Sequence, residues 1–321
     1  MNPFVPLYDV CNTNTPAIKY AELADGPSIV DIEPVGLCNM RCVMCPTGLQ
    51  ALGRPGGFMS HETFEAILEK TESFGSAIRF IGWGEPLLHE HIVSFIRLAY
   101  KANRLTHINT NGSRLRIKPD LALRLVNAGL SSIKFSFQGT DRETYAAMRR
   151  VDFFEDLLLA IKDINDARGS GEFPFIAAST STTIETDEQI SIFRSRLAPL
   201  VDQLSIGRTI FEFIDMAAVP AKQRALLEEA AANETVIKKH PDPCPEVYNK
   251  LTIHWDGAVR VCCNDYSGKT NLGNILTDAF ASIWRHPTME AYRERLGRQD
   301  YSGPLCGTCW DYMSLTKGVE I

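Results

Sequence analysis

The sequence predicts an α/β fold: a partial, TIM-like (β/α)6 barrel over residues 28–215, followed by a small cysteine-rich unit over residues 244–321 built of a β-hairpin and a helix. Three observations predict it. Six short apolar runs between Ser28 and Ile210 alternate with amphipathic helical stretches, as in a parallel sheet with crossover helices, and six units fall short of the eight that close a TIM barrel. Apart from Cys11, the cysteines fall in two groups, one at 38–45 and one beyond residue 243. In that last region the helical period gives way to a run that turns at Asp256-Gly257, the strongest short hairpin signal.

Residues 1–27 carry Pro3, Pro6, Pro16 and Pro27 with little periodicity and read as an irregular lead-in packed on the body. Ser28–Glu33 is the first expected strand, and the cysteine loop follows it. His61–Phe74 sets Phe64, Ile67, Leu68 and Phe74 at helical spacing, with Ser60 as N-cap and Thr63 where a capping box has Glu. Ala77–Ile81 is the second expected strand, and His89–Asn103 a helix with Ile92, Phe95, Ile96 and Ala99 on one face. Leu105–Asn109 is the third strand, Pro119–Ala128 a helix stopped by Gly129, and Ser132–Phe137 the fourth strand. Asp141–Arg149 and Phe153–Arg168 read as helices, Phe175–Thr182 as the fifth strand, Asp187–Leu197 as a helix and Gln203–Ile210 as the sixth strand. Ala221–Lys239 is rich in helix formers, so residues 216–243 are expected to be a helical linker. Asn249–Val261 is the expected hairpin, and Ala279–Gly297 a helix interrupted at Pro287.

Composition narrows the function classes. With 45% hydrophobic and 22% charged residues the 321-residue chain reads as a soluble globular protein. A net charge of −6 gives no general attraction to nucleic acid or to an anionic membrane, so neither is an expected partner. No apolar run reaches the roughly 18 residues of a membrane-spanning helix, and the first twenty residues lack a basic then apolar signal, so a cytoplasmic location is expected. In that compartment clustered cysteines bind metal or do chemistry more often than they form disulfides.

Cys38, Cys42 and Cys45 sit within eight residues of one another. Thiolate-only ligation selects zinc, Cu(I) or an iron–sulfur cluster. Structural zinc wants four ligands and a cubane normally takes four cysteines, so three leave one position open to a small molecule. The spacing resembles the CxxxCxxC signature of the radical S-adenosylmethionine (radical SAM) superfamily, and the strand order resembles its partial barrel. The resemblance implies a 4Fe-4S cluster on Cys38, Cys42 and Cys45, S-adenosylmethionine (SAM) on its open iron, and a flavodoxin- or ferredoxin-type electron donor. Gly82-Trp83-Gly84-Glu85-Pro86 resembles the family's GGEP-type turn, which implies that Gly82, Gly84 and Glu85 hold the ammonium of SAM. Asn111, Ser136, Gln138, Ser179 and Arg208, at or near the ends of later strands, are the residues that the resemblance assigns to the rest of the cofactor, with Thr182 as a further candidate. Met44 stands where the family usually has an aromatic residue, and is taken as a packing contact to the cofactor.

Cys244, Gly257 and Cys262, with Cys306 and Cys309, resemble the SPASM domain in its shortened, single-cluster "twitch" form. Four cysteines close a second 4Fe-4S cluster, although two cysteine pairs also suit structural zinc. Cys263 is either a small core residue or a hydrogen-atom donor to substrate, and Asp265 either a general base or a turn residue. In the shortened members of the family such an auxiliary cluster accepts an electron during oxidation of an alcohol carbon. The expected reaction is therefore dehydrogenation of a hydroxylated small molecule such as a sugar or aminocyclitol. Epimerisation through Cys263 is the first alternative and maturation of a ribosomally made peptide the second. Against the peptide stands the short stretch of about 27 residues before the first strand, too few for a leader-binding domain. A non-catalytic iron–sulfur or zinc protein is the reading from outside enzymology.

Overall fold

A computed structural model describes residues 1–8, 25–209, 211, 214–232, 236–238, 244, 246–307, 309 and 313–315. Six parallel strands run in the order of the chain: β1 (Ile29–Ile32), β2 (Ala77–Phe80), β3 (Leu105–Thr110), β4 (Ser132–Ser136), β5 (Phe175–Thr182) and β6 (Gln203–Arg208). The sheet does not close, since β6 is an outer strand and β1 continues instead into two further strands. Crossover helices include α1 (His61–Lys70), α2 (Ile92–Lys101), α3 (Ser113–Ile117), α4 (Leu121–Asn127), α5 (Arg142–Arg149), α6 (Phe154–Arg168) and α7 (Asp187–Leu197).

Local chemistry explains the helix starts. Ser60 caps α1 by accepting from the Thr63 amide, and Asp141 and Thr186 close capping boxes on α5 and α7. The apolar faces of these helices pack on one face of the sheet, where Ile78, Phe80, Ile108, Ile133, Phe135 and Ile176 meet Phe64, Phe95, Leu157 and Ile161 in one core. Each such buried side chain contributes ~2 kcal/mol, and truncating Phe95, stacked 4.3 Å from Phe64, would open a cavity between two helices.

The other sheet face is polar. Asp31, Arg79, His107 and Ser132 fall in one register row across β1 to β4, and Ser136, Ser179 and Ser205 in another across β4 to β6. Paired residues of a parallel sheet point to the same side, so these rows line the barrel interior. Its N-terminal end is covered by Phe4 and Tyr8: Phe4 packs with Ile29 and Ala77, and the Arg79 guanidinium lies over the Tyr8 ring.

Two differences from the sequence reading follow from tertiary pairing. The expected helical linker ends with α8 (Ala221–Ala232), and β7 (Val236–Lys238) then pairs antiparallel with β10 (Met313–Leu315). Val236 and Ile237 are β-branched and suit a strand once a partner is present. The expected hairpin forms, as β8 (Lys250–Ile253) and β9 (Val259–Arg260), after the short α9 (Glu246–Asn249), but β8 also pairs parallel with β1 along its whole length. The cysteine-rich unit thereby extends the barrel sheet. Its helix breaks where Pro287 predicts, into α10 (Phe280–Trp284) and α11 (Pro287–Gly297), with Pro at the first position of the second. Among the described residues no helix is long and apolar enough to cross a membrane.

Candidate functional site

The cysteine loop leaves β1 and returns at one place, where Val35 bridges Phe58 and the Gly36 amide donates to Gly57 O at 2.9 Å. Between those points Cys38, Cys42 and Cys45 are free thiols, each supplied with a donor. The Met40 amide (3.5 Å) and Asn111 Nδ2 (3.7 Å) point at Cys38 Sγ, Arg149 Nη1 at Cys42 Sγ (3.6 Å), and the amides of Gly48 and Thr47 at Cys45. Burial, reinforced by Glu85, Cys42 and Cys45, pushes the Cys38 thiol up to about 11, and burial raises Cys45 as well. Three mutually repelling thiols carrying N–H donors fit a cationic iron centre that displaces their protons, and such donors tune cluster potential.

The turn after β2 is folded onto this loop. Glu85 N donates to Leu37 O at 2.9 Å, and Thr47 Oγ1 donates to Trp83 O. The glycines are required. Gly82 has φ +149°, and a Cβ on Gly84 would lie 1.8 Å from Val35 O. The buried carboxylate of Glu85, the residue expected at the ammonium of SAM, is hydrogen-bonded within the protein. It accepts from Leu87 N (3.0 Å), Thr110 Oγ1 (2.7 Å) and Asn111 N (2.7 Å), bracing the second-strand turn to the third.

The remaining expected contacts divide. Asn111 lies beside Cys38 and also binds Asn39 and Ser113. Ser136 and Ser179 are register neighbours on the interior face, while Gln138 is buried and donates to Thr209 Oγ1 at 3.0 Å. Met44 packs with Val43, Met148 and Val219 beside the loop. Arg208 ends β6, and its side chain lies outside the described residues, as does Cys11. Sequence reasoning missed Arg149. Its Nη2 donates to Ser136 O (2.8 Å) and Phe137 O (3.1 Å), its Nη1 meets Cys42, and its buried Nε has no partner among the described residues. The only signal was a basic residue in the last turn of α5, ordinary for a helix end.

At the second site Cys244 is buried, and burial and the neighbouring Cys263 and Cys244 push the Cys262 thiol far up. Burial, with Cys306 and Cys262 nearby, raises Tyr292 on α11, and the Cys309 amide donates to Cys306 O. Among the described residues the trio whose ligand atoms lie within 4.8 Å of one another is Asp31, Glu246 and Cys263. Neither cysteine set converges as closely as the ~3.8 Å that Zn–S bonds of about 2.3 Å impose, and a bulkier cluster suits the wider spread.

Cys263 lies beside Asp31, which is on the interior face, and Glu246, with ligand atoms within 4.8 Å of one another. Those acids are paired: Asp31 with Arg79 through two 2.6 Å contacts, Glu246 with Lys250. Asp265 differs. Its buried carboxylate accepts from Lys269 N (2.8 Å), Thr270 N (2.7 Å) and Thr270 Oγ1 (2.6 Å), so it braces its own loop.

Comparison with known proteins agrees with this geometry. The model of the radical SAM superfamily matches residues 32–190, and that of an iron–sulfur cluster-binding domain, SPASM, matches residues 244–310. An AdoMet-dependent heme synthase of Methanosarcina barkeri is 25% identical over 172 residues, 53% of this chain. The match spans 47% of that relative, so the chain accounts for about half of its length. The mycofactocin maturase MftC of Mycobacterium tuberculosis is 24% identical over 315 residues, covering 92% of this chain and 78% of the maturase. A crystal structure of BtrN in complex with AdoMet and 2-DOIA superposes with a TM-score of 0.54 at 18% identity, covering 88% of this chain and 92% of BtrN.

Proposed function

Because the chain belongs to the radical SAM superfamily and carries a SPASM-type auxiliary cluster domain, we propose that it dehydrogenates a hydroxylated small molecule of the sugar or aminocyclitol class. SAM and a 4Fe-4S cluster on Cys38, Cys42 and Cys45 supply a 5′-deoxyadenosyl radical on one-electron reduction, and the auxiliary cluster on Cys244, Cys262, Cys306 and Cys309 supplies a one-electron acceptor. A flavodoxin- or ferredoxin-type protein is the source of the reducing electron.

The observation that carries this reading is the interior wall. Asp31, Arg79, His107, Asn109, Lys134, Ser136 and Ser179 line it with hydrogen-bonding groups, which suits a compact polar substrate. BtrN, which shares the fold, is named with 2-DOIA bound. Oxidation of a CH–OH carbon to a ketone would remove one hydrogen atom, one proton and one electron, and the cluster that Cys244, Cys262, Cys306 and Cys309 would hold would supply the acceptor for that electron. In this chain the turn 82–86 and Asn111 position the cofactor, Arg149 holds positive charge beside Cys42, and Phe4 and Tyr8 cover the far end of the barrel.

Two further readings have their own observation. Cys263 lies beside Asp31 of the interior face, as a hydrogen-atom donor in an epimerase would. The alignment with a maturase over 92% of the chain favours a peptide substrate. One experiment separates the three. Reconstituted enzyme is given SAM, reductant and a panel of aminocyclitols, sugars and candidate precursor peptides in deuterated water. A product lighter by two hydrogens, one per 5′-deoxyadenosine, is expected. Solvent deuterium on carbon at otherwise unchanged mass, abolished by Cys263→Ala, would overturn dehydrogenation, as would turnover of peptides alone.

A further inference from the structure

Four segments meet between the two cluster sites: the start of the cysteine loop at Glu33, its end at Arg54, the turn at Trp83 and the auxiliary loop 262–268. Glu33, 2% exposed, accepts from Arg54 Nη2 at 2.7 and 2.8 Å and from the Trp83 amide at 3.0 Å. Arg54 Nε donates to Tyr266 O at 2.6 Å. Trp83 Nε1 donates to Cys263 O at 2.8 Å, and its ring meets the edge of Tyr266 at 5.3 Å. Trp83 thus belongs by its backbone to the turn packed on the cysteine loop, and by its side chain to the loop that carries auxiliary ligand Cys262.

We propose that Glu33, Arg54 and Trp83 form a clamp through which loading of the auxiliary site and SAM binding at the first site raise each other's affinity. The reason is mechanical. The backbone of residues 82–86 can approach a ligand only in the position that Glu33 and Cys263 O hold, and Cys263 is held in turn when its neighbour Cys262 is ligated. Linkage makes the effect reciprocal. Trp83 and Arg54 act here as positioning residues, and the inference stands whichever substrate the barrel accepts.

The test is a double-mutant cycle read by SAM binding rather than turnover. SAM is titrated calorimetrically into four proteins with the first cluster loaded: the natural chain, Trp83→Phe, a Cys306→Ala/Cys309→Ala variant without the auxiliary cluster, and the triple variant. Each single arm is expected to weaken SAM binding roughly tenfold, with the triple variant no weaker than either. The auxiliary cluster's electron paramagnetic resonance signal is expected to shift on SAM addition in the natural chain and to stay unmoved in Trp83→Phe. Natural affinity in Trp83→Phe, or losses that multiply to about a hundredfold, overturns the proposal. If Trp83→Phe fails to retain iron, Arg54→Lys, which keeps the charge but loses the guanidinium fork, goes through the same cycle under the same criteria.

Discussion

Arg149 shows how much a single side chain settles at the first site. Burial opposes its charge, but the thiols of Cys42 and Cys45 and the Tyr145 hydroxyl outweigh it and hold the guanidinium protonated. Positive charge beside a cluster sulfur makes reduction easier. Arg149→Gln is therefore expected to lower the midpoint potential of the first cluster in a spectroelectrochemical titration while iron content is retained; an unchanged potential would show that Arg149 only braces the end of β4. Neither this residue nor the brace made by Glu85 was legible in the sequence. The cysteine and glycine spacings are local facts, whereas the direction of a side chain depends on segments that fold against it from far along the chain. His254 gives a second prediction at this scale. Burial, with Arg54 and Arg260 nearby, pushes its imidazole down to about 3 from 6.5. Between those values the unfolded chain binds the extra proton, so stability falls as pH drops below about 6.5, by about 2 kcal/mol near pH 5. His254→Gln should remove that share of the acid destabilisation in urea melts at pH 7 and pH 5.

At the scale of elements, the turn Gly82–Pro86 tests how closely two segments must fit. A methyl on Gly84 cannot coexist with Val35 O, and the clash is with backbone, which does not swing aside. Gly84→Ala should cost about 3 kcal/mol or more and lower SAM affinity at least tenfold, read by thermal melting and calorimetry. The strands and helices themselves were largely legible, because most carry their own periodicity and some their own cap: Phe175–Thr182 and Asp187–Leu197 begin and end where their residues say. What no local pattern announces is pairing across some 220 residues. Leu251 and Ile253 read as one arm of a free hairpin, and only the exposed flank of β1 makes β8 a member of the main sheet. The same holds for β7, whose partner lies more than seventy residues away.

For the whole molecule, that shared sheet determines what losing the second cluster should do. The auxiliary unit is fastened to the barrel twice over: by the backbone ladder from β1 to β8, and by a core in which Leu251, Ile253, Val259, Ile275 and Trp284 join the barrel's apolar residues. The ladder uses no cysteine ligand, and in the core Cys244 is a buried member while Cys306 and Cys309 only border it. Cys306→Ala/Cys309→Ala should therefore stay folded, with the far-ultraviolet circular dichroism of the natural chain, while its iron falls from about eight to about four per chain. At saturating SAM the first site still has its three thiols, its turn and Arg149, so 5′-deoxyadenosine should continue to form. On the proposed dehydrogenation, the carbon radical left on substrate would then lack its electron acceptor. Ketone should fall by at least tenfold relative to 5′-deoxyadenosine, when both are quantified from the same anaerobic reaction. Equal loss of both products would mean that the second cluster serves the making of the radical rather than its oxidation.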